Sequence, residues 1–303
     1  MKLAVTTATF GPMAPHLMDL AGALTAASQP LILIGGFGLL LRRAYRVQEQ
    51  TQTLLEALPA SRTTDDFDVV LSLELLANPA ARQAISSVLT TLGYKVEVQY
   101  FQFVKPGTHE PNGKKVKVDF LTPLPGPDAG AVKVKAMRVG AAKRAPGEPP
   151  LHAYATPELI ALDAPGLTFD IEGPGTDGHH RTGRVTLPHP FTLMLMKLHA
   201  FADEHRGKRD LGPRPAYARK HALDVLTLAA LLTPEESDQL PDIQLAYSSY
   251  PPVQEAAAII DEYFSSSVTS GVAYLQPPLQ PRSEDESKFL ELLQDTYGRP
   301  REE

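Results

Sequence analysis

Hydrophobic and polar positions alternate along this chain in two rhythms. Residues 14 to 28 put Leu17, Leu20 and Leu24 on one face at helical spacing. Leu31 to Ile34 is a short apolar run that reads as a buried strand and ends in Gly35-Gly36. From Phe37 to about Leu58 the spacing is helical again. Phe67 to Leu73 reads as a strand, and Ala77 to Leu92 as a helix closed by Gly93. Four strand candidates follow at 95–104, 114–121, 132–139 and 151–155. Within the second, VKVDFL alternates, with Val116 and Val118 on one face and Lys117 and Asp119 on the other. Residues 167–172 and 183–187 read as strands around GPGTDGHHRTG, whose paired histidines fit a polar hairpin tip better than a metal site.

The rhythm changes at Pro188. Helical patterns cover 191–205, 218–232, 252–265 and 283–297, and Thr233-Pro234-Glu235-Glu236 spells a capping box with proline at the first helical position. The last helix fits a packed element or a docking tail equally. The layout predicts an α/β (α+β) fold: a lobe over residues 1–187 with a mixed β-sheet flanked by helices, then a helical C-terminal lobe over 188–303.

Composition narrows the chemistry. The chain has no cysteine, which excludes disulfides, thiolate catalysis and cysteine-bound zinc. No uncharged apolar run reaches membrane-spanning length and no secretory leader is evident, so the expected setting is cytoplasmic. A net charge of −6 argues against an all-over basic coat, though not against a local basic groove.

The densest chemistry lies at Asp65-Asp66-Phe67-Asp68, where a strand begins. Positions i and i+2 of a strand share a face, so Asp66 and Asp68 project together while Phe67 turns inward. Two adjacent carboxylates repel unless a cation lies between them, and a hard ion such as Mg²⁺ or Mn²⁺ suits oxygen ligands. Asp119, on the polar face of its own strand, is the natural third carboxylate. Gly35 and Gly36 lack Cβ atoms, so a phosphate chain can approach their amides.

Gly-Gly at a strand end, Asp-x-Asp and a third strand aspartate together resemble the DNA polymerase β-like nucleotidyltransferase superfamily. The run Arg62-Thr63-Thr64-Asp65-Asp66-Phe67-Asp68, R-x-T-x-D-x-D, is most similar to the AbiEii-type toxins, including the MenT-like enzymes. The resemblance implies that Asp66, Asp68 and Asp119 bind the metals. It also implies that Gly35, Gly36, Arg62, Thr64 and Lys197 contact the NTP, and that Asp224 orients Lys197 or the base. The chain departs from these toxins in having Gly-Gly where many have Gly-Ser and a long strand-rich segment between Asp119 and Lys197.

The implied activity is transfer of NMP from NTP to an acceptor, with tRNA as the acceptor and an antitoxin protein as partner. From Lys197 to His221 there are seven Lys/Arg against three Asp/Glu, a stretch that fits either a tRNA contact or a solvated connection. The alternatives are a protein hydroxyl or a small molecule as acceptor, or a non-catalytic nucleotide-binding module.

Overall fold

A computed structural model describes residues 2–55, 64–105, 115–127, 129–144, 146–207, 212–276 and 283–298. The chain divides into two compact units. The first comprises Met1–Tyr45, Arg62–Leu159 and Leu167–Pro188; the second comprises Arg46–Ser61, Ile160–Gly166 and His189–Glu303. The protein is a mixed α/β structure.

The first unit is built on one sheet. Its strands in chain order are β1 (Lys2–Ala4), β2 (Ile32–Ile34), β3 (Asp66–Val70), β4 (Lys95–Val98), β5 (Gln102–Lys105) and β6 (Val116–Pro123). The remaining five are β7 (Val132–Lys135), β8 (Arg138–Ala141), β9 (His152–Thr156), β10 (Leu167–Pro174) and β11 (His180–Leu187). Their spatial order is β1-β10-β11-β2-β3-β6-β9-β8-β7, with the β4–β5 hairpin attached to β6. The sheet is mixed: β3 runs parallel to β6, and β6 parallel to β9, while β2 is antiparallel to β3.

Strict alternation fixes which face is core. On β6, Val116, Val118, Phe120 and Thr122 are buried while Lys117, Asp119, Leu121 and Pro123 are half-buried. Phe67 is fully buried on β3, edge-on to Phe37 at 5.0 Å, and both join a cluster with Leu17, Ile85, Leu89, Val118 and Phe120. Burying each such side chain contributes about 1.5–3 kcal/mol, so a one-residue slip of β3 would exchange that gain for two buried carboxylates. The register of β3 is therefore strongly specified.

Several elements differ from the sequence expectation. The expected strand over 95–104 is two strands, folded at Gln99 and Tyr100, which have φ of 43° and 67°. The expected strand over 132–139 likewise folds at Ala136 and Met137, with φ of 49° and 62°. Two consecutive positive φ values are the mark of a type I′ turn, which is usually signalled by Asn-Gly. Here neither turn carries that signal.

The helix expected from Phe37 to about Leu58 is Gly35–Gln48 within the described residues, and positions 56–58 lie outside them. Beyond it, Gln48-Glu49-Gln50-Thr51-Gln52 offers no apolar face, and Gln50 has φ of 51°. The helix expected over 77–92 is Pro79–Thr91, capped by Asn78, which accepts from the amides of Ala80 and Ala81, and a short helix not expected, Leu73–Ala77, precedes it.

All described regular elements that lie wholly within the second unit are helices. Pro190–Arg206 packs on Pro215–Ala230, and Phe201 lies edge-on to Tyr263 and Tyr274 and tilted against Phe264. The capping box at Thr233 is formed in both directions: its hydroxyl accepts from the Glu236 amide, and Glu236 accepts from the Thr233 amide. The Ser283–Tyr297 helix is a packed element, since Phe289, Leu293 and Tyr297 form a buried stripe and the Tyr297 hydroxyl donates to the Phe191 carbonyl. Among the described residues no helix is long and apolar enough to cross a membrane.

Candidate metal-binding carboxylate site

Two paired strands of the first unit bring the acidic residues together. Asp66 and Asp68 lie two apart on β3 and are half-buried, flanking the fully buried Phe67. Parallel pairing of β3 with β6 sets Asp68 opposite Asp119 and Asp66 opposite Lys117. Each of Asp66, Asp68 and Asp119 offers a carboxylate oxygen, and these oxygens lie within 4.8 Å of one another. Oxygens sharing one Mg²⁺ at about 2.1 Å stand roughly 3–4 Å apart, so small side-chain rotations close the set around an ion. The donor set is all carboxylate, which suits Mg²⁺ or Mn²⁺ rather than zinc.

Glycine shapes the wall of this site. Ile34 at the end of β2 pairs with Asp68, and the next residue, Gly35, opens the Gly35–Gln48 helix. Gly35 has φ of 67°, and a Cβ there would lie 1.8 Å from Asp68 Oδ2. Position 35 thus excludes a side chain twice, by backbone conformation and by contact. Gly36 follows it, buried in the first turn of the helix. Amides of a helix's first turn have no intrahelical acceptor and favour negative charge, here next to the carboxylates.

Hydrogen bonds set the carboxylates' orientation. Thr64 Oγ1 donates to Asp66 Oδ1. Gln102 on β5, opposite Asp119 in the register, donates through Nε2 to Asp119 Oδ1 at 2.7 Å. Burial raises the Asp119 carboxyl above its usual range; the Gln102 hydrogen bond and Lys117 pull it back, while Asp66 adds to the rise. Sequence reasoning missed Gln102 and placed Lys117 only on the face of Asp119. Lys117 was legible from alternation with Asp119; Gln102 was not, because the hairpin that delivers it has no turn signal.

Of the other expected site residues, Arg62 lies outside the described residues. Lys197 and Asp224 are brought together in the second unit, on its two longest helices, as an ion pair of 2.9 Å with side chains 13% and 3% exposed. The His179-His180 pair is a hairpin tip, where Asp177 binds Arg181 through both oxygens. That pairing, with the His179 amide, holds the Asp177 carboxyl well below the usual range. No protein-family model matches this chain, and no curated protein matches its sequence, so the functional reading rests on the residues themselves.

Proposed function

We propose that this protein is a divalent-metal-dependent nucleotidyltransferase, moving NMP from an NTP to an acceptor hydroxyl. The observation that carries the reading is the convergence of Asp66, Asp68 and Asp119 within 4.8 Å on one sheet face, with the helix that opens at Gly35-Gly36 against Asp68. Bound Mg²⁺ or Mn²⁺ supplies charge neutralisation for the attacking oxygen and the departing pyrophosphate.

The chain's own residues do the rest. Asp66, Asp68 and Asp119 would hold the cations, Asp66 fixed by Thr64. The Gly35 and Gly36 amides receive triphosphate oxygens, where no side chain intervenes. The acceptor oxygen forms a bond to the α-phosphorus, the bond from that phosphorus to the α–β bridging oxygen breaks, and pyrophosphate leaves. Asp119, the third carboxylate of the set, would assist removal of the hydroxyl proton. The resemblance adds Arg62 and Lys197 as phosphate contacts and Asp224 as the partner that orients Lys197. It also supplies the setting: tRNA as acceptor, in the cytoplasm, as an AbiEii-like toxin held in check by an antitoxin protein.

Incubation with Mg²⁺, each α-³²P-NTP in turn and total tRNA tests this directly. Label should move to RNA with the wild type and vanish with Asp66→Ala. Equal labelling by the variant would sink the reading. Label on protein instead would keep the transferase and replace its acceptor. Growth arrest on expression, lost in the same variant, tests the toxin setting.

A further inference from the structure

The carboxylates occupy only one end of a half-buried sheet face. Cross-strand partners share a face, and so do positions i and i+2 along a strand. Leu121, two residues beyond Asp119, pairs with Tyr154 on β9; Tyr154 pairs with Arg138 on β8; Arg138 pairs with Lys135 on β7. This row runs across the face that bears Asp66, Asp68 and Asp119. At about 4.8 Å per strand it carries Lys135 about 14 Å from Leu121. A second row, His152, Gly140 and Lys133, lies beside it.

The charge along the two rows changes sign away from the carboxylates. Residues 129 to 144 hold Lys133, Lys135, Arg138, Lys143 and Arg144 and no acidic residue. Lys133, Lys135, Lys143 and Arg144 are exposed. Glu97, the exposed acid on nearby β4, is paired with Lys115 at 2.7 Å.

Aromatic rings fill the ground between the two charges. Tyr100 is 40% exposed and stands edge-on to His152 at 5.8 Å, while Phe101 packs on half-buried Tyr154 at 5.7 Å. The ring of His152 lies over Gly140, where a Cβ would come within 2.3 Å of its Cδ2, and Nδ1 meets the Gln99 carbonyl at 2.9 Å. Burial holds the imidazole's proton affinity down, and Arg138, Arg144 and Lys133 add to the effect. The turn that displays Tyr100 holds this bulky residue at a φ that glycine or asparagine fills more readily.

We propose that the face formed by β9, β8 and β7, with the Gln99–Phe101 turn, binds a single-stranded RNA segment. Unpaired bases stack on Tyr154 and Tyr100, and phosphates meet Arg138, Lys133 and Lys135. A duplex would offer no free base faces to these rings. The assignment rests on the nucleotidyltransferase reading only for the claim that the bound strand is the acceptor, leading its terminal hydroxyl toward Asp119. A net charge of −6 does not oppose it, because a local basic surface concentrates a polyanion whatever the total.

Fluorescence anisotropy of the full chain with a short fluorescein-labelled single-stranded RNA tests the proposal over a salt series. Lys133→Glu with Lys135→Glu should weaken binding at least tenfold and flatten the slope of log affinity against log salt by about 1.4, two contacts at roughly 0.7 each. Tyr154→Leu, which removes the ring but keeps an apolar side chain against Phe101, should weaken binding about tenfold and leave the slope unchanged. Lys2→Glu, on β1 at the opposite edge of the sheet, should bind the RNA as the wild type does. No binding by the wild type, no loss in the charge variant, or equal competition by polyglutamate would overturn the assignment. RNA binding as described with no nucleotide transferred would leave this surface standing and remove the transferase reading. Transfer to RNA at unchanged KM in the Lys133/Lys135 variant would do the reverse.

Discussion

The α-carbon of Gly35 faces the Asp68 carboxylate so closely that a single added carbon would lie 1.8 Å from Oδ2 and 2.8 Å from Cγ. Nothing but hydrogen fits there while Asp68 keeps its position. Gly35→Ala therefore has two effects. The left-handed backbone adds about 1–2 kcal/mol of strain, and the carboxylate must rotate away from Asp66 and Asp119. Mn²⁺ affinity, measured by calorimetry, should fall at least tenfold. Wild-type affinity in this variant would show that Asp68 is not a ligand.

Asp119 is expected to weaken the fold at neutral pH when no cation is bound. Its carboxyl titrates above the ordinary value because burial disfavours the charged form. Between the unfolded value and the raised folded one, the native state binds more protons than the unfolded chain. Stability contributed by this group is then complete below the unfolded value and is lost as pH rises through the folded one. Asp119→Asn should accordingly melt higher than the wild type at pH 7 in EDTA. The gap should close as pH approaches 4, and Mg²⁺ should raise the wild type's melting temperature alone. A variant that melts lower at pH 7 would contradict the sign of this argument.

The pair of Lys197 and Asp224 separates stability from chemistry. Removing one partner of a buried pair leaves the other charge without its counter-ion, and Asp224→Ala should cost about 3–5 kcal/mol. Replacing both, with Lys197→Met and Asp224→Leu, should restore most of that loss, because apolar groups of similar volume need no counter-charge. If Lys197 contacts nucleotide, the double variant melts like the wild type yet transfers label far more slowly. Full transfer by a stable double variant would reduce the pair to a helix-packing device.

The candidate site was legible in the sequence to the extent that alternation makes it so. Asp66, Phe67 and Asp68 could be sorted by face from a period of two, and the same rule aligned Asp119 with Lys117 on β6. The pairing of β3 with β6 needed a guess at topology, since 50 residues separate Asp68 from its partner Asp119, with helices and a hairpin between them. Gly35 was legible as a glycine but not as the residue against Asp68, which is a tertiary contact. Gln102, Tyr100 and the basic face around Arg138 were lost with the two hairpins. Turns at Gln99-Tyr100 and Ala136-Met137 carry none of the glycine or asparagine that a positive φ usually demands, so each hairpin read as one strand.

That mismatch gives a stability prediction of its own. Ala136 is exposed, has φ of 49° and heads the two-residue turn between Lys135 and Arg138. A left-handed conformation costs a non-glycine residue about 1–2 kcal/mol. Glycine removes that strain but adds about 0.4–1 kcal/mol of unfolded-state entropy. Relief is at least as large as that cost, so Ala136→Gly should stabilise the chain by a net gain of up to about 1.6 kcal/mol. Met137→Gly should fall short of it despite a φ of 62°, because Met137 packs against the core and its side chain would be lost. Urea denaturation of both variants decides the matter. A lower midpoint for Ala136→Gly would mean that the turn is not strained at that residue.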